Sequence, residues 1–455
     1  MKPTAAKPQQ PQSKFQKKTS GSLVQGILSL QGLLSPYKLL SSTGFKQTIY
    51  SSAGYLAASA LAALATILIT RKLGPTDFGR FSTAFSLALI LIKLNDLGLS
   101  TATTKFLSSS ETKKMKAQFY LVISAARFVL SLVLISAGLI LFQPLSQTLQ
   151  ISPYLTLSVF FMSLATVYFE HLQLTLQAQH RFKTTAAVTI VQAAFKLAFA
   201  VSLYLTLIPT DPVFIFVLYM ISPGIPAALT QWLIPRWLEK FDWKLAKLAV
   251  SRVGKLTAHS AISVLSIGVV ENVDVLFVKA YLNDYQAGLL GGVSRITLLL
   301  YVTAFAIGSV LNARVAHYQT KHDLDRYWRK AAAIAAAALA GFLISIPLAR
   351  PLLTLTIGPE YLPALPIMII LLGSGFATIA AVPFGALFYT FDLPWYFSVV
   401  GIVQLLLILL GNGLLVPLYG LSAAAWTRFI TRLVLLILTV TIARWYYQQN
   451  YVEEN

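Results

Sequence analysis

The chain has 455 residues, 56% of them hydrophobic and only 11% charged, where a soluble domain carries about 25% charged residues; with a mean hydropathy of +0.70 this excludes an ordinary water-soluble fold. A net charge of +20 would point to nucleic acid in a soluble protein, but here the basic residues mostly flank apolar runs, and orientation in a bilayer accounts for them without a nucleic-acid partner. The absence of cysteine excludes disulfides, thiolate metal sites and cysteine nucleophiles.

Residues 1–22 are Pro, Gln, Lys and Ser with almost nothing apolar, which predicts a disordered basic tail. Residues 23–40 read as an interfacial amphipathic helix, with Leu23, Ile27, Leu30 and Leu34 on one face before Pro36. Gln and Gly interrupt that run and no small-residue cleavage site follows, which speaks against a signal peptide. Apolar spans follow, each meeting the ~20 residues that a bilayer core requires. In the first half, 45–235, they fall near 47–71, 79–103, 117–142, 153–178, 185–208 and 213–234. In the second half, 256–446, they fall near 256–281, 286–312, 328–350, 362–390, 394–416 and 419–446, and 447–455 form a short C-terminal tail. Between the halves lies a basic connector, 236–255. Leu238, Phe241, Leu245 and Leu248 recur there at helical spacing, while Glu239, Lys240, Lys244, Lys247 and Arg252 fall mostly elsewhere on the wheel. With Trp237 and Trp243 as anchors, it predicts a linker helix lying in the cytoplasmic interface.

The expected fold is therefore an all-α polytopic membrane protein with twelve transmembrane helices in two six-helix lobes. With the N-terminus inside, cytoplasmic segments carry 25 Lys and Arg and external turns 5, which sets an N-in, C-in topology. A faint repeat links Leu73-Gly74-Pro75-Thr76-Asp77-Phe78-Gly79 to Leu282-Asn283-Asp284-Tyr285-Gln286-Ala287-Gly288. A second echo links Ser152-Pro153-Tyr154 to Gly358-Pro359-Glu360-Tyr361. Six spans per half give both halves the same orientation, the parallel-repeat arrangement of alternating-access transporters.

Ionisable residues inside spans carry the functional signal, because each costs at least ~2.5–3.5 kcal/mol there unless paired or hydrated. They are Lys93, Asp96, Arg127, Glu170 and Lys196 in the first half, and Glu271, Asp274, Arg295, Arg428 and Arg432 in the second. Shared depth on successive spans suggests the pair Asp274–Arg295, and Lys93–Asp96 on the second span form another candidate pair, either as simple neutralisation or as function. Six basic against four acidic residues leave +2, which suits an anionic ligand: Lys93, Arg127, Lys196, Arg295 and Arg428 are the candidate substrate-binding residues. Asp96, Glu271 and Asp274 are candidates for ion coupling or charge pairing. Pro223, Gly224 and Pro226 in the sixth span and Gly373, Gly375 and Pro383 in the tenth mark kinks or hinges. No Walker A run and no HExxH or GxSxG signature occurs. The five scattered histidines suggest no metal site, and no cofactor is expected.

LITRKLGPTDFGRFSTAFSLALIL (67–90), the following Asp96-Leu97-Gly98, Asn272-Val273-Asp274 and IGPEYLPALPIMIILLGSG (357–375) resemble segments of the polysaccharide and O-antigen flippases of the multidrug/oligosaccharidyl-lipid/polysaccharide superfamily. The resemblance covers roughly 45–446. It implies a multi-pass cell (plasma or inner) membrane protein that moves polyprenyl-pyrophosphate-linked oligosaccharide by alternating access, driven by an ion gradient or membrane potential. It also implies a cationic cavity, with Arg295 and Lys93 the leading candidates, and partners drawn from membrane lipids and other glycan-assembly proteins. The alternatives are a drug or cation exporter of the same superfamily, which would want an acidic, aromatic-lined cavity, and a membrane-embedded glycan-assembly enzyme or scaffold. The enzyme would need a sizeable external loop that the sequence does not contain.

Overall fold

An apolar run does not say where one helix ends and the next begins; caps, prolines and left-handed residues do. Ser152 and Asp211 each accept the backbone N–H three residues on, from Leu155 at 3.1 Å and Phe214 at 2.8 Å. Pro153 and Pro212 then open their helices, where a missing N–H costs nothing. Asp242 accepts from the N–H of Lys244 at 2.9 Å, and Thr320 from that of Asp323 at 3.2 Å.

The computed structural model describes residues 43–108, 112–233, 241–315, 318, 320–391, 393 and 395–451. The expected tail 1–22 and interfacial helix 23–40 lie outside the described residues. The helices are α1 (Thr43–Asp96), α2 (Leu99–Ser108), α3 (Lys113–Leu149), α4 (Pro153–Ala178), α5 (Phe182–Tyr204), α6 (Pro212–Ile221), α7 (Gly224–Gln231), α8 (Trp243–Val270), α9 (Val273–Tyr281), α10 (Asp284–Val315), α11 (Lys321–Thr356), α12 (Leu365–Thr390), α13 (Trp395–Tyr419) and α14 (Leu421–Tyr451), with a 3-10 turn at Pro359–Ala364 before α12.

Ten segments among the described residues are long and apolar enough to cross a membrane, or eleven with the bent helix α8. The expectation of twelve differs because α1 runs through the first two expected spans. Its 54 residues are interrupted only at Gly74 (φ 67, ψ 175), followed by Pro75. Helix α8 bends by 47° between Trp243–Ala258 and Ser260–Val270; of the expected linker, 236–240 lie outside the described residues and 243–255 sit on its first limb.

Three expected spans are broken. The second stops at Asp96, where Leu97 (φ 38) and Gly98 (φ 87) turn the chain into α2. The sixth breaks between Ile221 and Gly224. The seventh breaks at Glu271–Asn272, where Asn272 leaves helical geometry and its side-chain amide donates to the Gly268 carbonyl at 3.0 Å. Gly373 and Gly375, by contrast, do not break the tenth. Helix α12 continues through them, and they admit Phe342 and Phe429 on one side and Leu300 on the other. The C-terminal helix runs on to Tyr451, past the expected start of the tail at 447.

Buried apolar residues form two main clusters. One, from 65 to 220, includes Phe78, Phe81, Val159 and Phe216. The other, from 275 to 425, includes Leu290, Leu353, Tyr361 and Met368. Between them runs a seam where α1 meets α10. A Cβ on Gly79 would collide with the Asp284 carbonyl oxygen, and one on Gly288 with that of Pro75. The two turns echoed in the sequence thus pack on each other, backbone to backbone. Arg80 Nε donates to Asp284 Oδ2 at 3.1 Å, and the buried Lys279 holds Asp284 Oδ1 at 2.7 Å. Tyr361 Oη donates across to the Thr70 carbonyl at 3.2 Å. The second echo is local only: Tyr361 is fully buried, whereas its counterpart Tyr154 is 81% exposed.

Ser82, with no exposed surface, packs against Gly291 inside this seam. A Cys at Ser82, in a chain that has none of its own, is expected to resist a water-soluble thiol reagent. Adding Gly288→Ala, whose methyl has no room, is expected to make it reactive. Continued protection in the Gly288→Ala background would rule out close glycine packing as what seals the seam.

Candidate functional site

The ten ionisable residues expected inside spans separate into paired and unpaired sets. Because α1 ends at Asp96, its carboxylate reaches the first turn of α2. There Oδ1 accepts the Ser100 N–H at 2.9 Å and the Ser100 hydroxyl. Arg127 of α3 donates to the same oxygen at 2.8 Å, with both side chains 5% exposed. Asn95 donates to Ser131 Oγ at 2.9 Å beside this pair, and His171 Nε2 meets Ser124 Oγ at 2.9 Å.

The break at Glu271–Asn272 does the equivalent in the second half. It places Asp274 in the first turn of α9, fully buried, with Oδ2 2.6 Å from Nη2 of Arg428 on α14. The same Nη2 donates to the Glu271 carbonyl at 3.0 Å. One turn further along α14, Arg432 pairs with the Glu271 carboxylate and donates from Nη1 to Gln404 at 2.6 Å.

Both expected pairings therefore change partner. Asp96 takes Arg127 rather than Lys93, and Asp274 takes Arg428 rather than Arg295. Shared depth puts two charges at one level but leaves open which way each helix turns them. Lys93 crosses instead to lie along Gly268 of α8, leaving no room there for a Cβ.

After three pairs, the described residues leave Lys93, Lys196, Arg295 and Glu170 without an ion-pair partner, a balance of +2. Two of these cations are linked through aromatic rings. The Arg295 guanidinium lies 4.6 Å from the Phe85 ring, and Lys196 Nζ lies 4.5 Å from the Tyr219 ring. Phe85 and Tyr219 meet edge to face at 5.5 Å. The array joins α10, α1, α6 and α5, bridging the two halves of the chain. Arg295 Nε, although buried, has no hydrogen-bond partner. A cation–ring contact contributes about 0.5–2 kcal/mol, less than the cost of an unpaired charge at membrane depth.

Sequence reasoning missed Phe85, Tyr219, Ser100, Gln404 and the Lys279–Asp284 pair. Gln404 was visible as a lone polar residue in an apolar run, and Ser100 stands four residues after Asp96. Nothing in the sequence distinguished Phe85 or Tyr219 from other span aromatics. Among the described residues, no cluster of His, Asp or Glu has the makings of a metal site.

A family model described as polysaccharide biosynthesis protein matches residues 45–312. Comparison with curated protein sequences gives no match. Among solved structures, the chain is similar to a multidrug resistance MATE family transporter of the MOP superfamily in its inward-facing conformation, at 14% identity and TM-score 0.69 over 85% of this chain and 94% of that one. It is also similar to the lipid II flippase MurJ in an inward closed conformation, at 14% identity and TM-score 0.68 over 87% of each chain. A Vibrio cholerae MATE transporter matches at 14% identity and TM-score 0.58 over 89% of this chain and 96% of that one. Identities this low carry the fold and nothing finer.

The pairing generates a test by replacement. Asp274→Asn leaves a buried guanidinium unpaired, and breaking a buried pair from one side typically costs about 3–5 kcal/mol. Asp274→Asn with Arg428→Met is expected to recover most of that loss in a thermal or denaturant unfolding measurement, whereas Asp274→Asn with Arg295→Met is not. Recovery by the Arg295 combination instead would assign Asp274 the wrong partner.

Proposed function

The chain belongs to the polysaccharide biosynthesis protein family, and from that premise we propose that it is a flippase moving a lipid-linked oligosaccharide of polyprenyl-pyrophosphate type across the cell membrane by alternating access. The observation that carries the reading is the cation–aromatic array of Arg295, Phe85, Tyr219 and Lys196, which sits between the halves with no ion-pair carboxylate on either cation among the described residues. Lys93 adds a third uncompensated positive charge nearby in sequence. A pyrophosphate is the kind of group that such cations retain, and aromatic faces suit sugars. A drug or cation exporter is less well supported, because the span charges left without an ion-pair partner among the described residues sum to +2.

The twelve-span, N-in, C-in arrangement belongs to this proposal. Splitting α1 at Gly74 and joining the second limb of α8 to α9 brings the number of spans to twelve. The 25-to-5 distribution of basic residues then orients them. In that orientation the Gly79–Gly288 seam closes the external side, and two lobes related by a parallel repeat rock about the array. Energy enters through an ion gradient or the membrane potential, since one charge moved across 100 mV is worth ~2.3 kcal/mol. Asp96, Glu271 and Asp274 act as the coupling carboxylates through exchange of their arginine partners for an incoming cation.

Two experiments follow. In vesicles loaded with a labelled lipid-linked oligosaccharide, Arg295→Glu and Lys196→Glu are each expected to abolish translocation at normal protein levels. Arg295→Lys should retain part of it, keeping charge but losing the planar fork. Wild-type rates in either Glu variant would mean that these cations do not hold substrate. For the topology, a Cys at Gln147 or at Tyr419 should react from outside intact cells, and a Cys at Lys247 only after permeabilisation. Reaction at Lys247 from outside would overturn the orientation.

A further inference from the structure

Helix α11 is the peripheral member of the second half. It packs mainly against α12 and the 3-10 turn before it, and only 11% of its apolar window is buried. Its first turns carry His322, Arg326, Arg329 and Lys330, all exposed, and these line a cavity of about 430 Å³ together with Ala333. No carboxylate lines this cavity, and none of its cations has an ion-pair partner among the described residues. The acidic neighbours are engaged elsewhere: Asp323 accepts from Thr320 at the helix cap, and Asp325 accepts the Tyr447 hydroxyl at 2.6 Å. On the same exposed side, one to three turns further along, stand Ala333, Ala336, Ala337 and Ala340. Methyl groups there leave a shallow strip beside the backbone where longer side chains would fill the space. Basic residues directly at the end of a membrane span attract anionic lipid headgroups, but a tethered positive charge alone does not make a site. Here the cations line one shared open groove on the helix face, and the surface continuing along the helix has room for a chain.

We propose that the foot of α11 binds the phosphate of an anionic phospholipid through Arg326, Arg329, Lys330 and His322, with an acyl chain lying along the alanine strip. The proposal needs α11 to lie against lipid and is independent of what the protein transports. The ligand chemistry is a phosphodiester with one acidic charge. Zwitterionic lipids present the same phosphate but bring a compensating ammonium, which the four basic side chains repel.

The test uses the full-length protein purified in detergent and returned to mixed micelles containing phosphatidylglycerol or phosphatidylcholine, with inorganic phosphate as a third arm. Bound lipid is counted by native mass spectrometry and stability is followed by thermal unfolding. Wild-type protein is expected to retain phosphatidylglycerol through detergent washing and to unfold several degrees higher with it, with neither effect from phosphatidylcholine. The triple variant Arg326→Gln, Arg329→Gln, Lys330→Gln should need at least tenfold more phosphatidylglycerol for the same shift. Arg350→Gln, at the opposite end of the helix, should match wild type. Should the triple variant not fold, Ala333→Leu with Ala337→Leu fills the strip without altering charge and is expected to weaken retention. Equal retention of both lipids, retention unchanged in both the triple variant and the alanine variant, or the whole shift produced by inorganic phosphate would each overturn the proposal. A dimer that disappears with the same substitutions and forms without lipid would assign this face to a second copy of the chain instead.

Discussion

Asp274 has no exposed surface and Arg428 only 3%, so each charge is tolerable in an apolar slab only because the other stands 2.6 Å away. Much of the second half follows from that constraint. An unbroken seventh span would fix the directions of Glu271 and Asp274 by helical spacing alone. Stopping α8 at Val270 and restarting at Val273 frees the two carboxylates to face α14, where Arg428 and Arg432 stand one turn apart. At the break Glu271 closes α8 and Asp274 opens α9, and each acid meets its own arginine. Keeping both acids paired matters because a lone buried charge costs several kcal/mol.

The first half meets the same constraint in the same way. Its second span stops at an acidic residue, Asp96, and the left-handed pair Leu97–Gly98 aims that carboxylate into the next helix and at Arg127. Both halves therefore use a helix end, where backbone N–H groups stand free, to seat a carboxylate. Each recruits arginine, whose fork reaches several acceptors at once, as Arg428 does with Asp274 and the Glu271 carbonyl. What remains unpaired is then informative. Lys196 and Arg295 rest against aromatic rings, which position them without neutralising them.

The all-helical, polytopic class was legible in the sequence because the bilayer penalises short apolar runs, and that penalty acts on composition; the number of spans was not, since Gly74 leaves α1 running through two of them. The family resemblance, carried by segments such as 67–90, was legible too and agrees with the family match over 45–312. Partner choice was not. Asp274 and Arg295 stand at similar depth on successive helices, yet α10 turns Arg295 to Phe85 of α1, and no local pattern encodes that rotation. Glycine was ambiguous for a related reason. Gly74 breaks a helix with φ 67, while Gly373 and Gly375 sit inside one and admit aromatic and leucine side chains. The sequence shows the same residue in each case; only the neighbours decide whether its missing Cβ provides a backbone angle or space.

The Gly79–Gly288 contact has a consequence for how fast two helices can part. Interdigitated side chains must leave their rotamer wells before such surfaces separate, which makes the motion slow and stepwise. Two backbones in direct contact have nothing to unlock. Separation at that point releases Arg80 from Asp284 and the Tyr361 hydroxyl from the Thr70 carbonyl, while Ser82 and Phe78 leave their packing on Gly291. The same flatness makes the register exacting: slipping α1 by one residue against α10 would set Phe78 or Arg80 where only a glycine fits. The seam is thereby hard to misalign: the two glycines admit one register of α1 against α10.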